Sequence, residues 1–198
     1  MLENDFLSTP EEIKLRDEVK SLVKGVDSEL LRKMDKNEID YPFEFLHEAA
    51  KRRLLGLRFP KKYGGRGLTW TAEMTAIEEV GVLGMGLGCS YAMISIMGEA
   101  INHFGTEWQK QEFLKTIIKG EKLSAECLTE PRGGSDFFGT TSKAEKKGNK
   151  WVIDGEKRFI AGGKVADFYL VYAKTNPKKP GHKALTALLV ERDEGVKA

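Results

Sequence analysis

The sequence has few of the residues that mark specialised proteins. Its 198 residues include only two cysteines, Cys89 and Cys127, which lie far apart and form neither a disulfide framework nor a paired metal-ligand motif. No apolar run approaches the roughly 20 residues that a membrane-spanning helix needs. The acidic N-terminus lacks the apolar segment of a signal peptide and the Arg-rich face of a transit peptide. We therefore expect a soluble protein of a reducing compartment, with the cytoplasm as the default.

The chain also lacks an excess of charge of either sign. It has 32 Lys and Arg against 30 Asp and Glu, a formal net charge of +2. So small an excess argues against a protein that is held on nucleic acid by phosphate neutralisation. Hydrophobic residues make up 40% of the chain, which is enough for a core and excludes a disordered protein.

Helical spacing of apolar residues runs through the first 120 residues. The segment Thr9-Pro10-Glu11-Glu12 is a capping box with Pro at the first helical position, and it predicts a helix over residues 9–26. Further helices are predicted over residues 40–56 and 71–80. Residues 85–104 are nearly uncharged, which predicts a helix that is buried on most sides. A second capping box at Thr106 predicts a last helix, ending at Gly120.

Short strands separated by turns follow Gly120. Residues 151–153 and 158–160 flank Asp154-Gly155, a dipeptide typical of hairpin turns, and Gly148-Asn149 marks an earlier turn. Two more runs, residues 168–173 and 185–190, predict strands buried on both faces.

The fold class that these patterns predict is α+β. We expect an N-terminal all-α helical bundle over residues 1–120, followed by an antiparallel β domain over residues 121–198. Four or five strands with no closing element would leave open sheet edges. The β domain is therefore expected to be incomplete and the sequence to be cut short.

Several patterns imitate ligand sites without completing them. The glycines of residues 81–88 approach a dinucleotide fingerprint, but no strand precedes them, so helix packing at small residues is favoured. The glycines of residues 64–67 lack the Lys-Ser/Thr ending of a phosphate loop, so a tight turn is favoured. His47, His103 and His182 show no metal-ligand spacing, and no metal site is predicted.

The segment from Cys127 to Asp136 carries a more specific pattern. It leaves a predicted strand, turns at Pro131, passes two glycines and presents Ser135 beside Asp136. Glycines let a backbone approach a ligand closely, and consecutive amides with hydroxyls suit phosphate or carbonyl oxygens. On these residues alone, a surface turn and a binding loop are equal alternatives.

The letters of residues 127–139, CLTEPRGGSDFFG, resemble the signature of the acyl-CoA dehydrogenase family, in which T-E-P-x-x-G-S-D follows the first β-domain strand. PKKYGGRGL and FGTEWQKQEFL resemble that family's P-x-x-Y-G-G-x-G loop and the helix that enters its β domain. KAEKKGNKWVIDGEKRFIAGG resembles the hairpin that carries its second flavin-contacting stretch. The resemblance runs from about Thr9 to the C-terminus, in the family's order and spacing.

This resemblance implies a flavoenzyme with an N-terminal helical domain, a central β domain and a C-terminal helical bundle. The implied cofactor is noncovalent FAD, the substrate an acyl-CoA, the electron acceptor the electron-transfer flavoprotein, and the assembly a homotetramer. A carboxylate base would remove the α proton of the thioester while hydride leaves the β carbon for the flavin, whose chemistry the protein positions.

The resemblance also implies site residues. The implied cofactor-binding residues are Cys127, Leu128, Thr129, Gly134, Ser135, Phe159, Ile160 and Ala161. Ser135 would contact the FAD pyrophosphate and lie beside the pantetheine channel. Where the family has Trp-Ile-Thr or a close variant, Ala161 replaces the hydroxyl that would hydrogen-bond the flavin near N5. The helix around Cys89, Ala92 and Met93 matches the one that lines the acyl pocket, although it is equally well explained as core.

The sequence shows no counterpart of the family's catalytic base. In the family this glutamate belongs to the C-terminal helical region, so the base is expected beyond Ala198. Glu126, Glu130 and Asp136 match positions that are structural in the family, and no catalytic residue is assigned. The isolated chain is predicted to be inactive, and if it turned over, Glu99, Glu126 and Glu130 would be the first residues to mutate.

Three alternatives remain open at the level of sequence. An acyl-CoA oxidase or an enoyl-CoA reductase would use the same scaffold, and reactivity with oxygen would separate the oxidase. A non-catalytic subunit that keeps an acyl-CoA or flavin surface is an alternative from a different class.

Overall fold

The structure is a computed structural model that describes residues 9–197. The chain divides into two compact units, a helical unit that ends at Lys122 and a β unit that begins at Leu123. No helix within the described residues is long and apolar enough to cross a membrane.

The helical unit contains seven α-helical segments among its described residues. They are α1 (Pro10–Lys24), α2 (Ser28–Asp35), α3 (Phe43–Lys51), α4 (Trp70–Gly81), α5 (Met85–Phe104), α6 (Glu107–Gln109) and α7 (Lys115–Ile118). A π-helical turn, Lys110–Leu114, joins α6 to α7, and a 3₁₀ turn, Lys61–Tyr63, lies in the loop before α4.

Both predicted capping boxes are confirmed. The Thr9 hydroxyl accepts from the Glu12 amide at 3.2 Å, and the Glu12 carboxylate accepts from the Thr9 amide at 2.7 Å. Thr106 and Gln109 repeat this reciprocal arrangement at the start of α6. Each box satisfies two amides that the first helical turn leaves without partners, which fixes where the helix begins.

Other predictions about the helical unit need correction. Helix α2, capped by the Asp27 side chain, was not predicted. The helix after Pro42 ends at Lys51 rather than near Gly56. Helix α5 has the predicted bounds and nine of its 20 residues are buried, while its two ends are exposed, Met85 to 82% and Phe104 to 88%.

The core of the helical unit is formed by one face of each longer helix and by the loop before α4. Fully buried side chains include Leu15, Val19, Leu46, Leu57, Phe59, Ala76, Met97, Leu114 and Ile117. Burial of apolar surface contributes roughly 25 cal/mol per Å², and this packing supplies the stability that short helices lack on their own.

The β unit contains five strands in one sheet. They are β1 (Ser124–Cys127), β2 (Lys143–Lys147), β3 (Lys150–Asp154), β4 (Phe168–Lys174) and β5 (Leu185–Glu191). Strand β4 is central: it pairs with β1 on one side and with β5 along its whole length on the other. As predicted, β4 is largely buried, whereas β5 is half-exposed or exposed along its length and not buried on both faces.

The α+β fold class is confirmed, but the sheet is mixed rather than antiparallel. Strand β1 runs parallel to β4, with Ser124 opposite Phe168, and β2 adds one parallel pair, Lys143 opposite Lys174. The other two pairings, β2 with β3 and β4 with β5, are antiparallel. The parallel pair joins segments about 40 residues apart, so no local turn signal could indicate its direction.

The predicted hairpin at Asp154-Gly155 is wrong. The hairpin instead joins β2 to β3 through Gly148-Asn149, and β3 ends at Asp154. Gly155 is required for a close approach, because a Cβ atom there would collide with the Ser142 side chain. The chain beyond it is irregular, and the strand predicted over residues 158–160 does not form.

Candidate functional site

The loop after β1 closes into a tight turn before it reaches Ser135. The Gly133 amide donates to the Glu130 carbonyl at 2.8 Å, and the Glu130 amide donates back to the Gly133 carbonyl at 3.3 Å. Gly133 has a φ of 128°, a conformation that L side chains rarely adopt. The predicted position of this loop, directly after the first strand, is confirmed.

Gly134 then brings the loop back against Thr129. A Cβ atom at Gly134 would lie only 2.8 Å from the Thr129 Oγ1 atom, so a residue larger than glycine would displace the loop or the threonine. Two of the residues singled out from the sequence, Thr129 and Gly134, are therefore in contact.

Ser135 presents donors that nothing in residues 9–197 uses. Its side chain is exposed, and its hydroxyl makes no hydrogen bond to the described residues. The backbone amides of Gly134 and Ser135 likewise donate to no acceptor in this part of the chain. Neighbouring free amides beside a hydroxyl form a site suited to an anionic oxygen.

Glu130 holds the base of this loop through a buried network. Its carboxylate accepts from both the amide and the hydroxyl of Thr141 and of Ser142, at 2.6–2.9 Å. The Lys157 ammonium lies 3.0 Å from the same carboxylate and also donates to the carbonyl of Tyr172 at 2.7 Å. Glu130 is 2% exposed, so these partners replace water almost completely.

This network keeps Glu130 ionised. Burial alone would raise the pKa of Glu130, but the hydrogen bonds from Ser142 and Thr141 outweigh it and hold the pKa well below its usual range. A carboxylate whose lone pairs are occupied and whose pKa is depressed is a poor proton acceptor. Glu130 therefore acts as a clamp on the loop.

Two other carboxylates near the loop also have internal partners. Glu126 accepts from the Tyr172 hydroxyl at 2.9 Å. Asp136 forms an ion pair with Arg132 and accepts from the Gly139 amide at 3.1 Å. Both carboxylates therefore have partners within the β unit.

The second stretch implied by the sequence, residues 159–161, is joined to the first by the backbone. The Arg158 amide donates to the Thr129 carbonyl at 2.8 Å. Phe159 has a φ of 56°, unusual for a residue that is not glycine, and its side chain is 93% exposed. Ala161 is half-buried and has no hydroxyl to offer.

An open groove of about 420 Å³ runs along the sheet beside this stretch. Three residues from the sequence analysis line it, namely Cys127, Phe159 and Ile160, whereas Leu128, Thr129, Gly134, Ser135 and Ala161 do not. Apolar side chains form much of its wall, including Tyr169, Val171 and Val190.

The sequence analysis missed the lysines of this site. Lys157 and Lys164 line the groove, and Lys157 also anchors Glu130. Lys157 falls in the segment that was interpreted as one arm of a hairpin, which would have left it as an ordinary surface residue. The one local signal was Gly155: interpreted as a point of close backbone approach rather than as part of a turn, it would have indicated that the chain around Lys157 packs against the sheet.

Cys127 contributes shape to the groove and not nucleophilic chemistry. Burial raises the pKa of its thiol to about 11, against the opposing effect of the Lys157 charge. The thiol is therefore protonated near neutral pH, and only a thiolate is strongly nucleophilic.

The residues singled out on α5 differ in exposure. Cys89 is exposed, Ala92 is half-buried and Met93 is 7% exposed, so Met93 belongs to the core. Cys89, Ala92 and Ile96 lie three or four residues apart and share an exposed helix face with Met85. This face is where the helix can meet a ligand.

Glu99, the remaining carboxylate considered as a base, is 34% exposed and belongs to an ion network around the buried Arg58 side chain. It pairs with Arg58 and lies 2.8 Å from His103. Arg58 also lies 2.6 Å from the Glu73 carboxylate and stacks 3.6 Å above the Trp70 ring. No group of three or more potential metal ligands occurs among residues 9–197.

The β unit thus combines an open, partly apolar groove with a loop of free amide and hydroxyl donors, two features that are common in ligand-binding sites. Comparison with family models identifies the family of proteins to which the chain belongs. The acyl-CoA dehydrogenase N-terminal domain matches residues 9–121, and the acyl-CoA dehydrogenase middle domain matches residues 125–198. The chain belongs to the acyl-CoA dehydrogenase family, which confirms the resemblance found in the sequence.

Individual relatives agree with this placement. The chain is 37% identical over 161 residues to a probable medium-chain specific acyl-CoA dehydrogenase 2, mitochondrial, of Caenorhabditis briggsae, covering 78% of this chain and 38% of that protein. It is 36% identical over 162 residues to 3-(aryl)acrylate reductase of Clostridium sporogenes, covering 79% of this chain and 42% of that protein.

A solved structure agrees as well. The crystal structure of an acyl-CoA dehydrogenase complexed with FAD from Bacillus anthracis is 28% identical with a TM-score of 0.83, covering 97% of this chain and 32% of that chain. The chain spans 38% and 42% of the lengths of the two curated relatives just named.

Proposed function

We propose that this protein catalyses the FAD-dependent α,β-dehydrogenation of an acyl-CoA thioester, with this chain forming flavin- and substrate-binding parts of the enzyme. The observation that carries the proposal is the link between the Ser135 loop and the groove at Phe159 and Ile160. The backbone hydrogen bond from Arg158 to Thr129 makes that link. Family membership and the similarity to an FAD-complexed acyl-CoA dehydrogenase support it.

The residues present fit FAD. The Ser135 hydroxyl and the amides of Gly134 and Ser135 would hold pyrophosphate oxygens, because these donors have no partner in the described chain. The groove beside Phe159 and Ile160 offers an apolar wall for a ring system. Leu128 and Thr129, directly beneath the loop, would contact the ring edge through backbone and side chain respectively.

Bound FAD would supply a two-electron acceptor for the hydride that leaves the β carbon while the α proton passes to a carboxylate, leaving an enoyl-CoA. Within this chain Glu126, Glu130, Asp136 and Glu99 are all engaged in internal contacts. Following the family resemblance, we propose that the base lies outside residues 9–197. The isolated 198-residue chain is expected to be catalytically silent for this reason.

Substrate binding is assigned to two places. Ser135 would lie beside the pantetheine of CoA, and the exposed face of α5 at Cys89 and Ala92 would border the acyl group. Met93, which is buried, would act only by shaping that face. We also propose that the electron-transfer flavoprotein accepts the electrons and that the protein assembles as a homotetramer.

A reductase is the second candidate, favoured by the 36% identity to 3-(aryl)acrylate reductase. The same scaffold would then deliver hydride to the β carbon of an unsaturated substrate. The extent of flavin reoxidation after anaerobic addition of an enoyl-CoA to the reduced flavoprotein compares the two directions, because the hydride transfer is reversible and the flavin potential sets its equilibrium.

Replacing Ser135 by Ala is expected to weaken FAD binding by about 1–3 kcal/mol, the cost of leaving a buried phosphate oxygen without its donor. The control is Ser28→Ala, since Ser28 is an exposed serine in the helical unit. The measurement is an FAD titration of the apoprotein in its complete natural form, followed by flavin fluorescence. Equal affinities for the three proteins would contradict the placement of the pyrophosphate.

A further inference from the structure

The β unit also carries a lysine-rich region outside the groove. This region is exposed and strongly charged. The β2–β3 hairpin and the loop after β4 carry eight lysines between them, at positions 143, 146, 147, 150, 174, 178, 179 and 183. The β2–β3 hairpin, residues 143–154, also holds two carboxylates, Glu145 and Asp154, the second of which lies opposite Lys143 in the register, and the loop of residues 174–183 holds none. We call this set of residues the lysine surface.

The strand pairing brings the two segments together. Lys143 and Lys174 are register partners between β2 and β4, and Lys147 faces Lys150 across the hairpin. Lys143, Lys146 and Lys174 line one shallow hollow of about 260 Å³. Because side chains alternate along a strand, Lys143, Lys147, Lys150 and Lys174 lie on one face of the sheet and Lys146 lies with Trp151 on the other, so the lysine surface includes both faces of the hairpin.

None of the eight ammonium groups forms an ion pair or a side-chain hydrogen bond with the residues that the structure describes. This differs from the rest of the chain, where 15 described ion pairs engage many of the basic residues. The whole chain has a net charge of only +2, so the charges are segregated. A segregated, unpaired positive surface attracts an anionic partner.

An aromatic side chain lies within the lysine surface. Trp151 is 46% exposed, lines the same hollow as Lys143 and Lys174, and is the register partner of Lys146. Val152 beside it is 44% exposed. Tryptophan among lysines is the combination that binds at the interface between lipid headgroups and acyl chains.

Protection of a sheet edge explains only part of this pattern. Lysines on an edge strand prevent strand addition, and β3 is such an edge. That role accounts for Lys150, but Lys178, Lys179 and Lys183 lie in a loop and a 3₁₀ turn outside the sheet. A second role is needed for the loop lysines.

The composition of the surface distinguishes between anionic partners. Protein interfaces are enriched in Arg and depleted in Lys, and the lysine surface contains eight lysines and no arginine. Recognition of bases in nucleic acid also relies on bidentate Arg contacts. Clusters of Lys or Arg are attracted to anionic lipid headgroups, at about 1 kcal/mol for each such residue near the membrane surface.

We propose that the lysine surface binds the protein peripherally and reversibly to anionic lipid bilayers, with Trp151 at the headgroup level. The lysines supply the attraction and Trp151 a shallow apolar contact. The inference is independent of the flavin chemistry, since none of these residues lines the groove at Phe159.

The test is co-sedimentation of the purified protein with large vesicles, made either of phosphatidylcholine alone or of phosphatidylcholine mixed with phosphatidylglycerol. We expect binding to the anionic vesicles at low ionic strength, loss of binding at high salt and none to the neutral vesicles. A variant with Lys146→Glu, Lys147→Glu, Lys178→Glu and Lys179→Glu should partition at least about tenfold more weakly.

The matched control changes four exposed lysines of the helical unit, Lys14→Glu, Lys24→Glu, Lys36→Glu and Lys51→Glu, which alters net charge by the same amount. It should retain most of the binding. Circular dichroism confirms that both variants are folded. Equal loss in both variants, no preference for anionic vesicles, or stronger retention on single-stranded RNA than on vesicles would overturn the proposal.

Discussion

Replacing Arg58 by Met is expected to destabilise the protein by about 3–5 kcal/mol near neutral pH, because the change leaves the buried Glu73 carboxylate without its counter-charge. The Arg58 side chain is 7% exposed and pairs with Glu73, which is 4% exposed, and with Glu99. It also donates to the Ser95 carbonyl at 3.1 Å. Methionine fills similar space but offers none of these donors.

The effect should depend on pH in a defined direction. Burial raises the pKa of Glu73, and the Arg58 charge opposes that rise. Without Arg58 the folded-state pKa of Glu73 rises further above its unfolded value. The destabilisation should therefore be small below the unfolded pKa, where Glu73 is protonated in both states, and grow as pH rises through the folded pKa.

Two comparisons check this account by urea denaturation at several pH values. Arg52→Met removes an ion pair with Glu48 of the same 2.6 Å length, but at 38% and 41% exposure, and should cost less than about 1 kcal/mol. The double variant Arg58→Met, Glu73→Gln should recover part of the loss, since the buried charge is gone. A loss at Arg58 that is equal at every pH would contradict the explanation.

Replacing Glu130 by Gln is expected to cost a similar amount, about 3–5 kcal/mol, but within the β unit. Four donors from Thr141 and Ser142 and the Lys157 ammonium converge on the Glu130 carboxylate. In glutamine an NH₂ group replaces one carboxylate oxygen. The two groups that donate to that oxygen would then face a donor instead of an acceptor. Lys157, 10% exposed, would lose its only anionic partner among the described residues.

The pKa of Glu130 is shifted in the opposite direction to that of Glu73, but the loss on substitution is again expected to be smaller in acid. The folded-state pKa of Glu130 is held below its unfolded value, so its contribution is fully present above the unfolded pKa and is lost as pH falls toward the folded pKa. The difference between wild type and Glu130→Gln should therefore shrink in acid. Peptide-resolved hydrogen exchange assigns the loss to residues 123–197.

Glu126→Gln is the matched control. Glu126 accepts a single hydrogen bond, from the Tyr172 hydroxyl, and a glutamine carbonyl can still accept it. We expect a loss below about 1 kcal/mol for this variant. Equal losses at Glu126 and Glu130 would show that the network around Lys157 has no special role.

Elements with local signals could be predicted from the sequence, and those set by distant contacts could not. The Thr9 and Thr106 capping boxes were predicted because the cap and its partner are three residues apart. Helix α2 was missed although Asp27 caps it, because eight residues carry too little periodicity to detect. The parallel pairing of β1 with β4 depends on segments far apart in the chain.

The candidate site shows the same division. The loop after β1 and the position of Ser135 could be predicted, since glycines and hydroxyls follow one another along the chain. The clamp between Glu130 and Lys157 joins residues 27 apart and carries no local pattern. Asp154-Gly155 was misinterpreted as a hairpin turn for a related reason. Gly155 packs closely against the Ser142 side chain, a contact that the local sequence does not reveal.

Anaerobic mixing of the FAD-loaded protein, in its complete natural form, with saturated acyl-CoA thioesters tests the central claim most directly. We predict bleaching of the visible flavin absorbance with one enoyl-CoA formed per flavin, while residues 1–198 alone give none. Stoichiometric FAD without bleaching by straight, branched or aryl acyl-CoA substrates would contradict the proposed activity. Turnover by residues 1–198 alone would contradict the placement of the base outside the chain.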